Sequence, residues 1–313
     1  MPERKNFYSK ILLFGEYALM AGSEALSIPY DSLHGAFAFR RQPARSEFDS
    51  NSHLKKYAGY LRELSKDEKF SGQLNISRME KDIAKGLVFE SNIPPGYGLG
   101  SSGALAAAVY ERYGRDKIPA NTDISNEKLV ALKQIMAVME SWFHGKSSGL
   151  DPVICYLQKA VMVAGENLIK TVELPQYKKL SGGAVFLLDT GMTGETQPLV
   201  NYFVKQCENP GFLQKIKTEL IPLNEQCIRS YLSGDMETLF PYLKKLSAFT
   251  LQHFHPMVPE KVLPVWKEGL SGGRYFLKLC GSGGGGMMLG FTRNFEQAKT
   301  ELKSFPLKIV QQF

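Results

Sequence analysis

The feature that most constrains this chain is a glycine-rich turn running directly into an alanine-rich segment. Residues 94–103 read PPGYGLGSSG, and the following run ALAAAVY at 104–110 has strong helix propensity. Glycine lets the backbone approach an anion closely, and a helix start offers unpaired N–H groups and the positive end of the helix dipole. The sequence therefore predicts a phosphate-binding turn at the start of a helix.

Two other interpretations of this turn stay open from its residues alone. In the first, the turn is structural and Ser101 or Ser102 caps the helix. In the second, the glycines of 98–103 form a dinucleotide-binding G-x-G-x-x-G motif, which needs a strand feeding the first glycine. Two prolines precede that glycine, and the glycines of 281–286 have the same spacing between two predicted strands, so this motif is a weak signal.

The periodicity of the remaining chain indicates mixed helices and strands without strict β-α-β alternation, which favours an α+β fold. Apolar spacing predicts a helix over 126–144, with Asn126 as N-cap and Gly145 as its stop. A length of 313 residues favours two domains, divided into 1–178 and 179–313 near a Pro, Lys and Gly-rich stretch. The other predicted elements are strands at 7–13, 34–39, 88–90, 184–189, 275–280, 287–291 and 307–311, helices from the end of the 184–189 strand up to about 270, and a helix at 294–304.

Composition limits the classes of function. An apolar content of 43% with 22% charged residues is typical of a soluble globular protein, and no apolar run reaches the length of a membrane span. The net charge of +7 is spread along the chain rather than gathered into the basic stripe of a nucleic-acid-binding face. Four scattered cysteines and no signal-peptide pattern predict reduced thiols in a cytoplasmic protein. We expect a small-molecule ligand, no nucleic acid and no membrane partner.

Three stretches, in the family's order, resemble motifs of the GHMP kinases, and a fourth, between the second and third, resembles the mevalonate kinases among them most of all. Residues 9–18 (SKILLFGEYA) are similar to the family's first motif, and 95–102 to its phosphate loop. Residues 278–286 (KLCGSGGGG) are similar to its third motif, and 140–152 (ESWFHGKSSGLDP) to a mevalonate-kinase segment. Together the motifs cover about 40 residues but span most of the chain, so joint agreement by chance is remote.

The resemblance implies a kinase that uses ATP and Mg²⁺ to phosphorylate a primary hydroxyl, with mevalonate as the favoured, anionic acceptor. It implies two α+β domains, an N-terminal nucleotide-binding one and a ferredoxin-like C-terminal one, and leaves a homodimer open. The residue roles it implies are Asp151 as catalytic base, Lys10 as catalytic cation, Ser102 and Glu140 as Mg²⁺ ligands, Glu16 and Thr196 as acceptor contacts, and Pro95, Gly96, Gly98, Leu99, Gly100, Ser101, Ser102, Gly283 and Gly284 as nucleotide contacts.

Each implied role has a plainer alternative. Asp151 before Pro152 has the pattern of a helix N-cap, Glu140 that of a surface residue at the edge of an apolar stripe, and Lys10 that of a solvated lysine. Among kinases, a phosphomevalonate kinase or a sugar kinase stays open, as does a silent family member that only binds ligand.

The chain also departs from the family pattern. Tyr17 stands where the family usually has His, which puts the acceptor's identity in question more than the reaction type. The other departures are Ser9 for Gly, Gly103 for Ala, and Cys280 and Ser282 for Thr and Ala.

Overall fold

The structure is a computed structural model that describes residues 5–40, 50–120, 123–165, 168–177 and 181–313. Its described residues divide into two compact units whose segments alternate along the chain. Unit 1 comprises Met1–Lys10, Pro29–Pro95 and Leu99–Lys159, and unit 2 comprises Ile11–Ile28, Gly96–Gly98 and Ala160–Phe313. The domain division at 178/179 stays a prediction.

Unit 1 is mainly helical. Its helix α3 contains the alanine-rich segment, and every residue from Gly103 to Tyr110 is buried because small side chains let neighbouring helices approach closely. The rings of Tyr110 and Tyr156 pack edge to face, with their centroids 5.1 Å apart. The elements with residues in unit 1 are β1 (Phe7–Phe14), β2 (Glu24–Phe39), α1 (Ser50–Leu64), α2 (Ile76–Ala84), β3 (Leu87–Ser91), α3 (Ser101–Tyr113), α4 (Asn126–His144) and α5 (Leu150–Leu157), of which β1 and β2 continue into unit 2.

Unit 2 contains an antiparallel four-stranded sheet in the order β7-β8-β6-β9, with helices between its strands in the chain. The central strand β6 is buried from Ala184 to Leu188, and Trp266 is fully buried. The further elements of unit 2 are β4 (Ala160–Ala164), β5 (Leu168–Val172), β6 (Ala184–Asp189), α6 (Thr196–Cys207), α7 (Pro210–Lys215), a π-helical stretch (Ile216–Leu220), α8 (Ile221–Leu232), α9 (Met236–His253), α10 (Leu263–Gly272), β7 (Tyr275–Leu279), β8 (Met287–Thr292), α11 (Phe295–Glu301) and β9 (Leu307–Gln312), with 3₁₀ turns at Leu19–Ala21, His255–Met257 and Glu260–Val262.

In the other sheet, β2 pairs antiparallel with β3 and with β4, and β4 pairs antiparallel with β5. In unit 1, β2 pairs with β3 with Gly35 opposite Ser91 and Phe39 opposite Leu87. In unit 2, residues 24–27 at the start of β2 pair with β4, which in turn pairs with β5. The mixture of helices with antiparallel sheets is the α+β class that the sequence predicts.

The N-caps of α3, α4 and α5 test the caps that the sequence predicts. Gly100, with φ +77°, is the N-cap of α3, so the interpretation of Ser101 or Ser102 as N-cap is wrong. Gly149 is the N-cap of α5, which places Asp151 inside the first turn of that helix rather than at its cap. The helix α4 has the predicted bounds, but its N-cap is Ser125, in extended conformation, and not Asn126, which is already helical.

Candidate active site

The first strand brings a buried lysine to an aspartate of helix α5. The backbone N–H of Lys10 donates to the carbonyl of Leu99 at 3.0 Å. The Lys10 Nζ lies 3.0 Å from Asp151 Oδ2, and the two side chains are 7% and 34% exposed. Lys10 is therefore not a solvated surface residue. Asp151 carries the greater exposure, which leaves its carboxylate accessible.

The glycine turn packs directly on this pair because two of its positions lack a side chain. A Cβ atom at Gly100 would lie 2.8 Å from the Lys10 Cγ. A Cβ atom at Gly103 would lie 2.9 Å from the Pro152 backbone nitrogen and 3.1 Å from the Asp151 Cβ. Glycine at 103, where the family usually has alanine, thus permits a close approach of α3 to α5 at Asp151.

A buried carboxylate, that of Glu140, contacts Ser102 in the first turn of α3. Glu140, on α4, is 4% exposed and is not the surface residue of the plainer interpretation. Its Oε1 accepts from the Ser102 hydroxyl at 2.8 Å, and its Oε2 accepts from the Ser147 hydroxyl at 2.5 Å. Burial, and then the charge of Asp151, raise the pKa of Glu140 from 4.5 to about 7, although both hydroxyls and Lys10 act against that shift.

The N-terminal end of α3 completes the cluster in unit 1. No side chain caps this helix, as Gly100 stands at its N-cap. Asp151 occupies the first turn of α5, where a negative charge interacts favourably with the helix dipole. Two carboxylates, one lysine and the start of a helix therefore converge among Lys10, 99–103, Glu140 and 147–152.

In unit 2, the other half of the glycine turn packs against a glycine loop, 281–286, which joins β7 to β8. A Cβ atom at Gly98 would lie 2.9 Å from the Cys280 carbonyl oxygen, and one at Gly286 would lie 2.7 Å from the Tyr97 Cα. Gly283 and Gly284 adopt φ of +81° and +77°, and the Gly284 N–H donates to the Met257 carbonyl at 2.7 Å. The two glycine segments of unit 2 are therefore in direct backbone contact.

The two predicted acceptor contacts also lie in unit 2, each with a partner that sequence reasoning did not assign. The Glu16 Oε1 accepts from the Lys278 Nζ at 2.5 Å, with both side chains at 7% exposure or less. The Ser282 hydroxyl donates to the Thr196 hydroxyl oxygen at 3.1 Å. The Tyr17 hydroxyl donates to the Ser282 carbonyl at 2.7 Å, which joins two of the departures from the family pattern.

A family profile described as the GHMP kinases N-terminal domain matches residues 54–159, the stretch that contains Ser102, Glu140 and Asp151. This chain therefore contains a GHMP kinases N-terminal domain. This domain indicates a kinase, a phosphotransferase, and the unit 1 cluster of Lys10, 99–103, Glu140 and 147–152 is its candidate catalytic centre.

Similarity to individual proteins extends along most of this chain. The curated mevalonate kinase of Pyrococcus abyssi is 24% identical over 309 residues, covering 90% of this chain and 85% of that protein. The crystal structure of L. major mevalonate kinase in complex with R-mevalonate aligns with a TM-score of 0.66 at 17% identity, over 100% of this chain and 97% of that one. Streptococcus pneumoniae phosphomevalonate kinase in complex with phosphomevalonate and AMPPNP aligns with a TM-score of 0.65 at 16% identity, over 99% of each chain. These alignments show a GHMP kinase fold.

Two further kinds of feature, groups of three or more metal-ligating side chains and membrane-spanning helices, are absent from the described residues. Within the part of the chain that the structure describes, no group of three or more His, Cys, Asp or Glu side chains is arranged to hold a metal ion. Over the same described ranges, no helix combines the length and apolarity that crossing a membrane requires.

Two polar residues, Ser147 of unit 1 and Lys278 of unit 2, are not predicted from the sequence, for different reasons. Ser147 lies in the motif at 140–152, but its hydroxyl's contact with Glu140 depends on the turn between α4 and α5. Lys278 belongs to the third motif, and a lysine at an inward position of an otherwise apolar strand signals a buried partner. Its partner, Glu16, is 262 residues away in sequence, which no local pattern reveals.

Proposed function

We propose that this chain transfers the γ-phosphoryl group of Mg·ATP to the primary hydroxyl of mevalonate. The observation that carries the proposal is the Lys10–Asp151 pair, 3.0 Å apart, at the start of the helix that follows the glycine turn. Support for the acceptor comes from relatives: the P. abyssi protein is named a mevalonate kinase, and the L. major structure holds R-mevalonate. Mevalonate is a carboxylate, so the proposed substrate is a small anionic alcohol.

Asp151 has the geometry of a catalytic base. Its carboxylate is 34% exposed and can accept the proton of an incoming hydroxyl while that oxygen attacks the γ-phosphorus. The new O–P bond forms as the bond between the γ-phosphorus and the β,γ-bridging oxygen breaks, and ADP leaves. Lys10 holds Asp151 by charge and offers a buried cation beside the oxygen where negative charge develops.

The residues present also fit a magnesium ion. Mg²⁺ favours a few protein oxygens and completes its shell with water and phosphate oxygens, so a hydroxyl and a carboxylate suffice. Ser102 and Glu140 present these atoms 2.8 Å apart. Two carboxylates face one lysine here, and burial, followed by the charge of Asp151, raises the pKa of Glu140, so a bound cation would favour its charged form. The ion would neutralise phosphate charge during transfer, and Ser102 and Glu140 would hold it.

The glycine turn is proposed to bind the phosphates. The φ of Gly96, Gly98 and Gly100 lies between +74° and +77°, a region that favours glycine, so backbone N–H groups rather than side chains line the turn. The uncapped start of α3 adds the positive end of a helix dipole. Pro95, Leu99 and Ser101 are assigned to the same turn, and Thr196 is assigned to the acceptor.

A phosphomevalonate kinase is the second candidate, because the S. pneumoniae phosphomevalonate kinase aligns with a TM-score of 0.65, almost the same as the 0.66 of the L. major enzyme. The experiment is to follow ADP release with mevalonate, phosphomevalonate, homoserine and galactose in parallel. Turnover with mevalonate at the highest kcat/KM supports the proposal. Turnover with another acceptor instead refutes the acceptor, and nucleotide binding without any turnover refutes the activity.

The catalytic assignment has its own test. Asp151→Asn should lower kcat by about 10²–10⁴-fold, because the amide cannot take the proton, while the Kd of AMPPNP stays close to that of the parent. Asp123→Asn, an exposed aspartate of unit 1, serves as the control and should leave kcat unchanged. Equal losses of AMPPNP affinity and turnover in Asp151→Asn would argue against the role of base.

A further inference from the structure

Two consecutive residues after β1 hold the glycine loop 281–286 of unit 2 from two sides. Glu16 contacts Lys278, two residues before Cys280 at the base of the loop, and Tyr17 contacts Ser282 within the loop. We propose that Glu16 and Tyr17 are positioning residues that fix this loop for the nucleotide, and that Glu16 is not a contact of the acceptor. This inference rests on the proposed function, because it takes Gly283 and Gly284 as nucleotide contacts.

The first support is the burial of the ion pair. The Glu16 and Lys278 side chains are 7% and 5% exposed, and the Lys278 Nζ also donates to the Leu279 carbonyl at 2.8 Å. The lysine at 2.5 Å already compensates the charge of this buried carboxylate, and removing either partner would leave the other charge buried and unpaired. The contact is therefore suited to holding β7, the strand that leads into the loop, at a fixed position.

The second support is the environment of Tyr17. Its φ of +60° is unusual for a residue with a side chain, and such a conformation persists only where the surroundings hold it. The ring packs against Phe203 and Phe254 with centroids 4.8 Å and 5.3 Å away, and the side chain reaches the Ser282 carbonyl. Burial also raises the pKa of Tyr17 well above its ordinary value, so the hydroxyl keeps its proton and stays a donor.

The third support is the set of hydrogen bonds that the loop makes with other segments of unit 2. The Ser282 hydroxyl donates to Thr196, the Gly284 N–H to Met257, and the Thr190 hydroxyl to the Gly286 carbonyl at 2.7 Å. Tyr17 thus adds a contact to a loop already held at several backbone positions. Because Gly98 and Gly286 lie against each other's segments, a displaced loop would displace 96–98, the first half of the phosphate turn.

The inference is tested with Tyr17→Phe, which keeps the ring among Phe203 and Phe254 and removes only the hydroxyl. We expect the Kd of Mg·AMPPNP, measured by calorimetry, and the KM of ATP to rise about three- to tenfold, as for the loss of one hydrogen bond, while the KM of mevalonate stays unchanged. The matched control is Tyr275→Phe, whose hydroxyl also donates to a backbone carbonyl, that of Val265, at 2.7 Å, and it should change neither constant.

The ion pair is tested with a pair of substitutions. Glu16→Met or Lys278→Met alone should fold poorly, because each leaves one buried charge unpaired, whereas the double variant removes both charges and should fold. In the double variant we expect a weaker Kd for Mg·AMPPNP and an unchanged KM for mevalonate. Loss of mevalonate affinity with normal AMPPNP affinity, in this variant or in Tyr17→Phe, overturns the inference.

Failure of the proposed function looks different in the same experiments. If the parent protein binds no Mg·AMPPNP, both proposals fall together. If the parent binds Mg·AMPPNP and phosphorylates mevalonate but Tyr17→Phe and the double variant match it in AMPPNP affinity, only the positioning role is lost.

Discussion

Glu140→Gln should make the metal-free protein more stable at alkaline pH, and less active. Glu140 is 4% exposed, and its pKa in the folded state is raised from 4.5 to about 7. A folded-state pKa above the unfolded one means that the folded protein binds the proton more tightly. Protonation of Glu140 therefore stabilises the folded state fully below about pH 4.5, and this stabilisation is lost as the pH rises through about 7.

The size of the effect follows from that shift. A rise of about 2.5 in pKa corresponds to about 3 kcal/mol between the protonated and charged forms of the folded protein. Glutamine resembles the protonated form at every pH, so the variant avoids this cost above about pH 8. Dividing this gain in the free energy of unfolding by the unfolding entropy of a chain of 313 residues gives a rise in Tm of roughly 3–5 °C.

The assay is thermal unfolding of parent and variant in EDTA at pH 5 and pH 8.5, followed by circular dichroism. The difference in Tm should be close to zero at pH 5 and positive at pH 8.5. The control is Glu127→Gln on the same helix: Glu127 is exposed, and its pKa is lowered by hydrogen bonds from its own backbone N–H and from Ser125, so this variant should not gain stability at pH 8.5. A Tm difference for Glu140→Gln that is equal at both pH values would refute the reasoning.

The same variant should be a poor enzyme, because a neutral amide is a weak ligand for a hard cation. We expect Mg²⁺-dependent turnover to fall by about 10²-fold or more, with much of the loss in the apparent affinity for Mg²⁺. Unchanged turnover at saturating Mg²⁺ and an unchanged Mg²⁺ requirement would remove Glu140 from the proposed metal site. The pairing of higher stability with lower activity is expected of a residue whose burial serves function.

Two glycines give further predictions. Restoring the family's alanine with Gly103→Ala should lower kcat by about tenfold, because the new methyl would lie 2.9 Å from the Pro152 nitrogen and displace Asp151; steady-state kinetics equal to the parent's would contradict this. Gly149→Ala should destabilise the fold by several kcal/mol in urea unfolding, since φ is +74° and a Cβ would lie 2.1 Å from the Lys133 carbonyl oxygen, whereas Gly145→Ala, also with positive φ but with open space at its Cβ, should cost less.

Local patterns predicted the elements that depend on neighbouring residues. The glycine turn followed by alanines gave α3, and apolar residues three and four apart gave α4 with its correct bounds and its stop at Gly145. The N-cap of α4 was misassigned by one residue, because serine and asparagine are equally good caps and stand side by side at 125 and 126. Helix α1, missed altogether, does carry a readable stripe of Leu54, Tyr57, Ala58 and Leu61.

The candidate site was predictable only as far as the resemblance carried it. The meeting of Lys10 with Asp151 joins residues 141 apart in the chain, which no propensity or spacing implies. The burial of Glu140 also depended on tertiary packing, because at the edge of an apolar stripe a glutamate can face either solvent or the core. The contact of Glu16 with Lys278 was not predictable either, because it also depends on tertiary packing. The proposal that Glu16 is a positioning residue rather than an acceptor contact rests on this contact.

The junction of Gly98, Gly194, Gly285 and Gly286 is built from main-chain atoms alone. An added methyl at any of these positions would meet a backbone atom within 2.9 Å, whether the partner is Cys280, Gly283, Thr193 or Tyr97. Main-chain atoms are the same in every amino acid, so neighbouring positions such as Ser282 are free to vary while these four are not. Divergence in substrate choice would therefore accumulate in the side chains that border the junction, and the glycines themselves would be its slowest-changing part.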